Sequence, residues 1–114
     1  MYKICLIDDK FYWIPQVINA IPKKVDYKFY FYNYIKDIEI LDFDLILLDF
    51  YLDKDNKTAL DIIDKFSWSV IIWFSSRKEK NNLILKNWWS FCVQKLRNTN
   101  INQELKKLFE KIII

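Results

Sequence analysis

The 114-residue chain carries 18 basic and 15 acidic residues, a net charge of +3, and neither glycine nor histidine. Lacking these two residue types, the chain cannot form the usual glycine-rich phosphate-binding or dinucleotide-binding turns, nor a site built on histidine such as a Ser-His-Asp triad. The basic residues are scattered, which indicates solvated helix faces and no direct binding of nucleic acid. What remains is the chemistry of carboxylates, hydroxyls, amines and thiols.

The length fits one folded domain, residues 1–114, whose output would pass through a partner. Cys5 and Cys92 each lie within an apolar run, so both are expected to be reduced and structural. The first apolar run stops at two acids, unlike a signal peptide, and no stretch reaches the roughly 20 apolar residues that span a bilayer. We therefore expect a cytoplasmic protein that does not bind membranes.

Short apolar runs of strand length alternate with segments of helical period, which predicts parallel strands joined by crossover helices. Five strands are predicted, at residues 4–7, 27–32, 45–48, 70–74 and 91–93. The second run contains Lys28 and several tyrosine hydroxyls, whereas the other four are continuously apolar. Such a mixed run is typical of a sheet edge, and the apolar runs are typical of strands covered on both faces.

Helices are predicted where apolar residues recur at i, i+3, i+4 and i+7. This spacing occurs at residues 14–21, with Pro15 in the first turn, and again at residues 59–66. A last helix follows Asn100, which with Gln103 is positioned to form an N-terminal cap. Less regular patterns predict a short helix near residues 35–41 and another at about residues 79–89.

Polar residues follow the predicted strands at their carboxyl ends, where open α/β sheets bind ligands. In strand order these residues are Asp8 and Asp9, then Asp49, then Ser75 or Ser76, then Lys95. With right-handed crossovers and the strand order 2-1-3-4-5, the first and third strands are neighbours, so the three acids are expected to converge. Two like charges roughly 4 Å apart repel by about 4 kcal/mol at an effective dielectric near 20, so the three acids would be unfavourable together unless a cation neutralised them. Mg²⁺ is a cation that suits oxygen ligands.

Four segments, in this order, closely resemble the receiver domain of two-component response regulators. They are ICLIDD at residues 4–9, DLILLDFYL at 44–52, VIIWFSS at 70–76 and FCVQK at 91–95. The resemblance covers nearly the whole chain. It implies an α/β fold: a doubly wound, five-stranded parallel sheet of order 2-1-3-4-5 in a flavodoxin-like three-layer sandwich.

The resemblance also implies a Mg²⁺-dependent phosphoryl site. Asp49 would be the phosphoryl acceptor, a nucleophilic carboxylate. Asp9, Asp49 and the backbone carbonyl of Tyr51 would bind Mg²⁺, and Asp8 would act mostly through a bound water. Catalysis would extend at most to self-phosphorylation and autodephosphorylation.

By the same resemblance, Ser75 is the switch hydroxyl and Lys95 pairs with the phosphoryl oxygens. Their two hydrogen bonds would contribute about 3–6 kcal/mol together, comparable to the ~5.5 kcal/mol that inverts a 1:99 equilibrium. The implied partners are a sensor histidine kinase or phosphotransfer protein and a downstream protein target. A homodimer through the last helices and strand is also consistent with the resemblance.

Several positions depart from the receiver pattern. Leu96 stands where Pro usually follows the lysine, Asp53 replaces a Pro after the third strand, Ala59 stands where Gly is common, and Cys92 takes the place of the switch aromatic. The missing Pro at Leu96 and the displaced aromatic at Cys92 favour a second hypothesis, a pseudo-receiver that acts as a phosphorylation-independent interaction or dimerisation module. A third hypothesis, a Mg²⁺-dependent phosphatase or nuclease, rests on the acids of the Asp53-Lys-Asp55 loop.

Overall fold

The computed structural model describes residues 1–39, 42–49, 51–52, 57–58, 63–66, 69–75, 90–94 and 101–113. Its strands are β1 (Tyr2–Ile7), β2 (Tyr27–Tyr32), β3 (Leu45–Leu48), β4 (Tyr51–Leu52), β5 (Lys57–Thr58), β6 (Val70–Ser75) and β7 (Ser90–Gln94). Five of them form one parallel sheet in the order β2-β1-β3-β6-β7, and β4 pairs with β5 in a separate antiparallel ladder. The predicted doubly wound sheet, its strand order and the edge position of the second strand are confirmed.

Alternate residues of each central strand fill two hydrophobic clusters, one on each face of the sheet. In β1, Ile4 and Leu6 lie on one face and Cys5 and Ile7 lie on the other, and all four are completely buried. Because both faces are covered, a central strand has no position at which a polar side chain would reach water. This explains the continuous apolar runs in the sequence.

The helix α1 (Ile14–Ala20) packs on the first face, the one that carries Ile4 and Leu6. A 3₁₀ turn at Phe11–Trp13 leads into it, and Pro15 stands in the first turn as predicted, where its missing N–H has no partner to lose. The predicted helix at residues 14–21 is confirmed to within one residue.

The helix α2 (Ile101–Ile113) packs on the same face and buries Ile101, Leu105 and Phe109. Asn102 Nδ2 donates a hydrogen bond of 3.1 Å to the carbonyl of Gln16, which joins the two helices. The predicted last helix is confirmed, although Asn100 of its predicted cap lies outside the described residues. In the described part of the chain, no helix has the length and apolar character needed to cross a membrane.

The other predicted helices differ from the structure or fall outside it. A helix was predicted near residues 35–41, but their described part, residues 35–39, has one 3₁₀ turn at Ile35–Asp37, after which Ile38 is extended. A helix of two turns needs tertiary packing to offset the cost of nucleation: α1 buries Val17 and Ala20, whereas the turn at Ile35–Asp37 buries no residue. Of the helix predicted at residues 59–66, the described part is a 3₁₀ turn at Ile63–Phe66. The helix predicted at residues 79–89 lies outside the described residues.

Asp44 joins three strands at their amino ends. Its N–H donates to the carbonyl of Lys3 at 2.9 Å, and its Oδ2 accepts from the Lys3 N–H at 2.8 Å. Its carbonyl accepts from the N–H of Val70 at 3.1 Å. Asp44 therefore aligns β1, β3 and β6, at the end of the sheet opposite to Asp8 and Asp49.

Cys5 is a free thiol with no exposed surface, as the sequence predicted. Burial raises the pKa of this thiol, and the thiolate is the reactive form. We expect Cys5 to resist iodoacetamide in the folded protein at mildly alkaline pH and to react fully in denaturant, as measured by peptide mass spectrometry. Equal rates of alkylation in the two states would contradict the packing of β1. Cys92 lies in β7, and its side chain is outside the described part.

Candidate functional site

Three acids meet at the carboxyl end of the sheet. Asp8, Asp9 and Asp49 each have a carboxylate oxygen, and these three oxygens lie within 4.8 Å of one another. The cause is topological: β1 and β3 pair in parallel with Ile7 opposite Leu48, so the residues that follow both strands lie at the carboxyl end of the sheet. Residues about forty positions apart in the sequence are thereby placed in one crevice.

Backbone hydrogen bonds extend beyond the strand ends and hold two of the acids. The N–H of Asp8 donates to the carbonyl of Tyr32 at 3.1 Å, and the N–H of Asp49 donates to the carbonyl of Ile7 at 3.0 Å. Asp8 Oδ1 also accepts a hydrogen bond of 2.9 Å from the N–H of Lys10. The acids are therefore held by the sheet itself, which positions side chains more precisely than a loop does.

Burial makes this cluster electrostatically unfavourable. The exposed fraction is 0% for Asp8 and 9% for Asp49. At the limiting separation of 4.8 Å, two carboxylates repel by about 3 kcal/mol at an effective dielectric near 20. A cluster of buried like charges calls for a nearby positive charge.

The donor set fits a hard divalent cation. Mg²⁺ binds oxygen ligands in an octahedron with bonds of about 2.0–2.1 Å, so its ligand oxygens lie roughly 3 Å apart when adjacent and roughly 4 Å apart when opposite. Carboxylate oxygens within 4.8 Å of one another reach that spacing through small side-chain rotations or one bridging water. Asp8, Asp9 and Asp49 are therefore the residues that would hold Mg²⁺. Tyr51, whose carbonyl was also predicted as a ligand, opens β4 two residues after Asp49.

The remaining predicted site residues are described only in part. Ser75 is the last residue of β6, and its backbone pairs with Gln94 of β7, so it reaches the same end of the sheet as the acids. Nothing is described of its side chain, and Ser76 and Lys95 lie outside the described residues. Their contacts with a phosphoryl group stay predictions.

The departures from the receiver pattern are likewise described only in part. Leu96, Asp53 and Ala59 lie outside the described residues. Phe91, the aromatic residue next to Cys92, packs against the first core face beneath Lys111, whose Nζ lies 5.6 Å from the ring centroid. Phe91 therefore belongs to the packing of α2 on the sheet.

Sequence reasoning missed two exposed aromatic residues beside the acids. Phe11 is 72% exposed and Tyr12 is 54% exposed, and both follow closely on Asp9. Trp13 behaves differently, since its ring packs edge-on against Phe74 with centroids 5.4 Å apart. Three consecutive aromatics give no periodic signal, so the sequence alone did not separate the buried ring from the two exposed ones.

Comparisons with known proteins find this fold among solved structures. The phosphorylated cyanobacterial phytochrome response regulator RcpA has a TM-score of 0.75 and 19% identity, over 98% of this chain and 94% of that chain. The response regulator domain of Thermotoga maritima CheB has a TM-score of 0.70 and 21% identity, over 99% and 94% of the two chains. The BeF3-activated DrrB receiver domain has a TM-score of 0.70 and 16% identity, over 99% and 97%.

No family model and no curated protein sequence matches the chain. The likeness is therefore one of structure, and it extends over nearly the full length of both partners in each comparison. It agrees with the five-stranded parallel sheet and its strand order, β2-β1-β3-β6-β7. The chain has the fold of response-regulator receiver domains.

Proposed function

We propose that residues 1–114 act as a receiver: Asp49 accepts a phosphoryl group in a Mg²⁺-dependent reaction, and the modified domain signals through contact with another protein. The observation that carries this proposal is the cluster of Asp8, Asp9 and Asp49 at the ends of two central strands of a receiver fold. Among the similar structures, RcpA is phosphorylated and the DrrB receiver is BeF3-activated, which supports the same chemistry here.

In the proposed transfer, a carboxylate oxygen of Asp49 forms a bond to phosphorus as the bond from phosphorus to the donor atom breaks. The donor atom keeps the bonding electron pair and takes a proton from solvent. Bound Mg²⁺ would supply positive charge that offsets the charges of the phosphoryl group and the acids. Asp9, Asp49 and the carbonyl of Tyr51 would hold the Mg²⁺, Asp8 would act mostly through a bound water, and the pairing of β1 with β3 would keep Asp49 beside them.

Ser75 and Lys95 are proposed to donate hydrogen bonds to the phosphoryl oxygens after transfer. Two such bonds to a charged acceptor would contribute about 3–6 kcal/mol, enough for most of a conformational switch. The phosphodonor would be a sensor histidine kinase or a phosphotransfer protein, and the output would be a downstream protein target. Because phosphohistidine donors are made from ATP, such a relay would operate in the cytoplasm.

The test is phosphorylation by a small acyl phosphate in the presence of Mg²⁺, read by intact mass. We expect one acid-stable, base-labile phosphoryl adduct on the wild type and none on Asp49→Asn. Asp42→Asn is the matched control, because the Asp42 side chain is 72% exposed and lies at the opposite end of the sheet, and it should be labelled like the wild type. Chelation of Mg²⁺ should abolish labelling, and an undiminished adduct on Asp49→Asn would refute the proposal.

Two other functions correspond to distinct outcomes of the same assay. The departures at Leu96 and Cys92 favour a pseudo-receiver, a module that binds partners without being phosphorylated, and an unlabelled wild type would support it. Turnover of a phosphoester without a protein adduct would support a Mg²⁺-dependent phosphatase or nuclease. Each outcome assigns the acids a different role.

A further inference from the structure

β2 is an edge of the sheet, and within the described residues it pairs with β1 alone. Two hydrogen bonds show which of its backbone groups face β1. The N–H of Tyr2 donates to the carbonyl of Asp26, and the N–H of Asp8 donates to the carbonyl of Tyr32. Bonding groups alternate along a parallel strand, so the even-numbered residues of β2 bond to β1. The outward N–H and C=O groups belong to Tyr27, Phe29 and Phe31.

This edge lacks the features that usually prevent pairing between molecules. Edge strands are commonly protected by proline, by bulges or by several charged side chains. The sequence of β2, YKFYFY, has no proline and one charge, Lys28, and its register with β1 is continuous over all six residues. Aromatic residues occupy the other five positions and have high strand propensity. The strand is thus suited to accept a further strand.

We propose that β2 is the contact between two copies of this chain, with the two β2 strands antiparallel about a two-fold axis at Phe29. Each copy would then present the same edge to the other, which is the requirement for a closed dimer. The two sheets would continue into one sheet, with the backbone bonds made between outward groups. This proposal concerns the edge of the sheet and does not depend on phosphoryl transfer at Asp49.

In one antiparallel register, the outward N–H and C=O groups of all three residues can form hydrogen bonds between the two β2 strands. Residues opposite each other in an antiparallel pair lie on the same face of the sheet. With the axis at Phe29, this residue pairs with its own counterpart, and Tyr27 pairs with Phe31 of the second copy. All three outward residues of each strand then form hydrogen-bonded pairs, and the pairs on this face are aromatic, which are among the favourable cross-strand combinations.

The opposite face is also complementary in this register. Lys28 faces Tyr30 of the second copy, and Asp26 faces Tyr32 of the second copy. Within one chain, Lys28 Nζ already lies 5.3 Å from the centroid of the Tyr30 ring, so that ring is accessible to a cation. Moving the axis to Lys28 would place two lysines opposite each other and lose a hydrogen-bonded pair. Both effects favour the axis at Phe29.

The first test is the molar mass in solution, by light scattering or sedimentation over a range of concentrations. We expect the mass to rise from that of one chain, 14.1 kDa, towards twice that value. Phe29→Pro removes the central outward N–H at a position where an edge strand accepts proline, and it should leave a monomer with an unchanged circular dichroism spectrum. A wild type that stays monomeric at every concentration would overturn the proposal.

The second test is disulfide cross-linking, which reports the register. The Phe29 side chain packs against the first core face, and cross-linking tolerates partial loss of that packing. Hydrogen-bonded antiparallel residues have Cα atoms about 5.5 Å apart, within the range that a disulfide bridges. In a Cys92→Ser background, Phe29→Cys should cross-link with itself. Tyr27→Cys should not, but it should cross-link when mixed with Phe31→Cys.

A dimer through the last helix is the competing arrangement. Lys106 lies on the exposed side of α2, so Lys106→Cys in the same background tests that surface. Cross-linking of Lys106→Cys together with failure of Phe29→Cys would overturn the proposal. The reverse result would place the contact at β2.

Discussion

Replacement of Asp8 by Asn will stabilise the metal-free protein and remove most of the stabilisation that Mg²⁺ gives to the wild type. Asp8 has no exposed surface and lies with its carboxylate within 4.8 Å of those of Asp9 and Asp49. The substitution keeps the oxygen that accepts from the Lys10 N–H and removes one charge from the cluster. Allowing for relaxation and water, we expect a gain of about 1–3 kcal/mol in the free energy of unfolding.

Mg²⁺ should stabilise the wild type and have little effect on Asp8→Asn. A ligand that binds the folded state alone stabilises it by about 2.7 kcal/mol at a hundred times its dissociation constant. The wild type should therefore melt several degrees higher in Mg²⁺ than in chelator, whereas Asp8→Asn should melt at nearly the same temperature in both. Thermal unfolding, followed by circular dichroism, measures the melting temperature of each protein in Mg²⁺ and in chelator.

Asp42→Asn is the control for this experiment. Its side chain is 72% exposed and its ion-pair partner is Lys3, far from the acids, so it should keep the full response to Mg²⁺. An Asp8→Asn protein that is less stable than the wild type in chelator, and that is still stabilised by Mg²⁺, would disprove the proposed repulsion among the acids and their role in binding the metal.

Replacement of Phe109 by Ala will destabilise the fold by about 3–5 kcal/mol, the usual cost of truncating a buried aromatic side chain. Phe109 has no exposed surface and lies in the core cluster that joins α1, α2 and the sheet. The total stability of a domain is about 5–15 kcal/mol, so this single loss would leave a marginal protein. Urea unfolding at neutral pH, followed by circular dichroism, gives the difference in free energy.

Two further variants separate packing from helix formation. Lys107 lies on the exposed side of α2, so Lys107→Ala should change the free energy of unfolding by no more than about 0.5 kcal/mol. Phe109→Leu keeps an apolar side chain at the site and should cost less than Phe109→Ala, because it leaves a smaller cavity. Equal stabilities for Phe109→Ala and Lys107→Ala would mean that α2 does not pack on the sheet as described.

The strands could be predicted closely because a strand buried on both faces is an uninterrupted apolar run. The run at residues 45–48 ends at Asp49, and β3 is Leu45–Leu48. Helices were less certain, because a helix of one or two turns depends on its neighbours for stability. The apolar residues near Ile35 are less regularly spaced, and one 3₁₀ turn forms there before the chain becomes extended at Ile38.

The candidate site was predictable to the extent that it follows from topology. Strand order alone brings Asp8, Asp9 and Asp49 to the carboxyl end of two neighbouring strands, and their carboxylate oxygens do lie close together. The exposure of Phe11 and Tyr12 was not predictable, because a ring's neighbours depend on how the β1–α1 connection turns. Trp13, the next residue, turns inward to Phe74.

The sequence by itself determined which chemical groups are available and which segments form the strands of the sheet. Residue types decide which groups are present, and the lengths of the apolar runs decide which segments become strands. Only the tertiary structure decided that Asp8 is fully buried with the Lys10 N–H on its carboxylate, and that the backbone N–H and C=O groups of Tyr27, Phe29 and Phe31 face away from β1. The burial of one carboxylate and the direction of each backbone group depend on how distant segments pack and pair, and a pattern along one chain does not contain them.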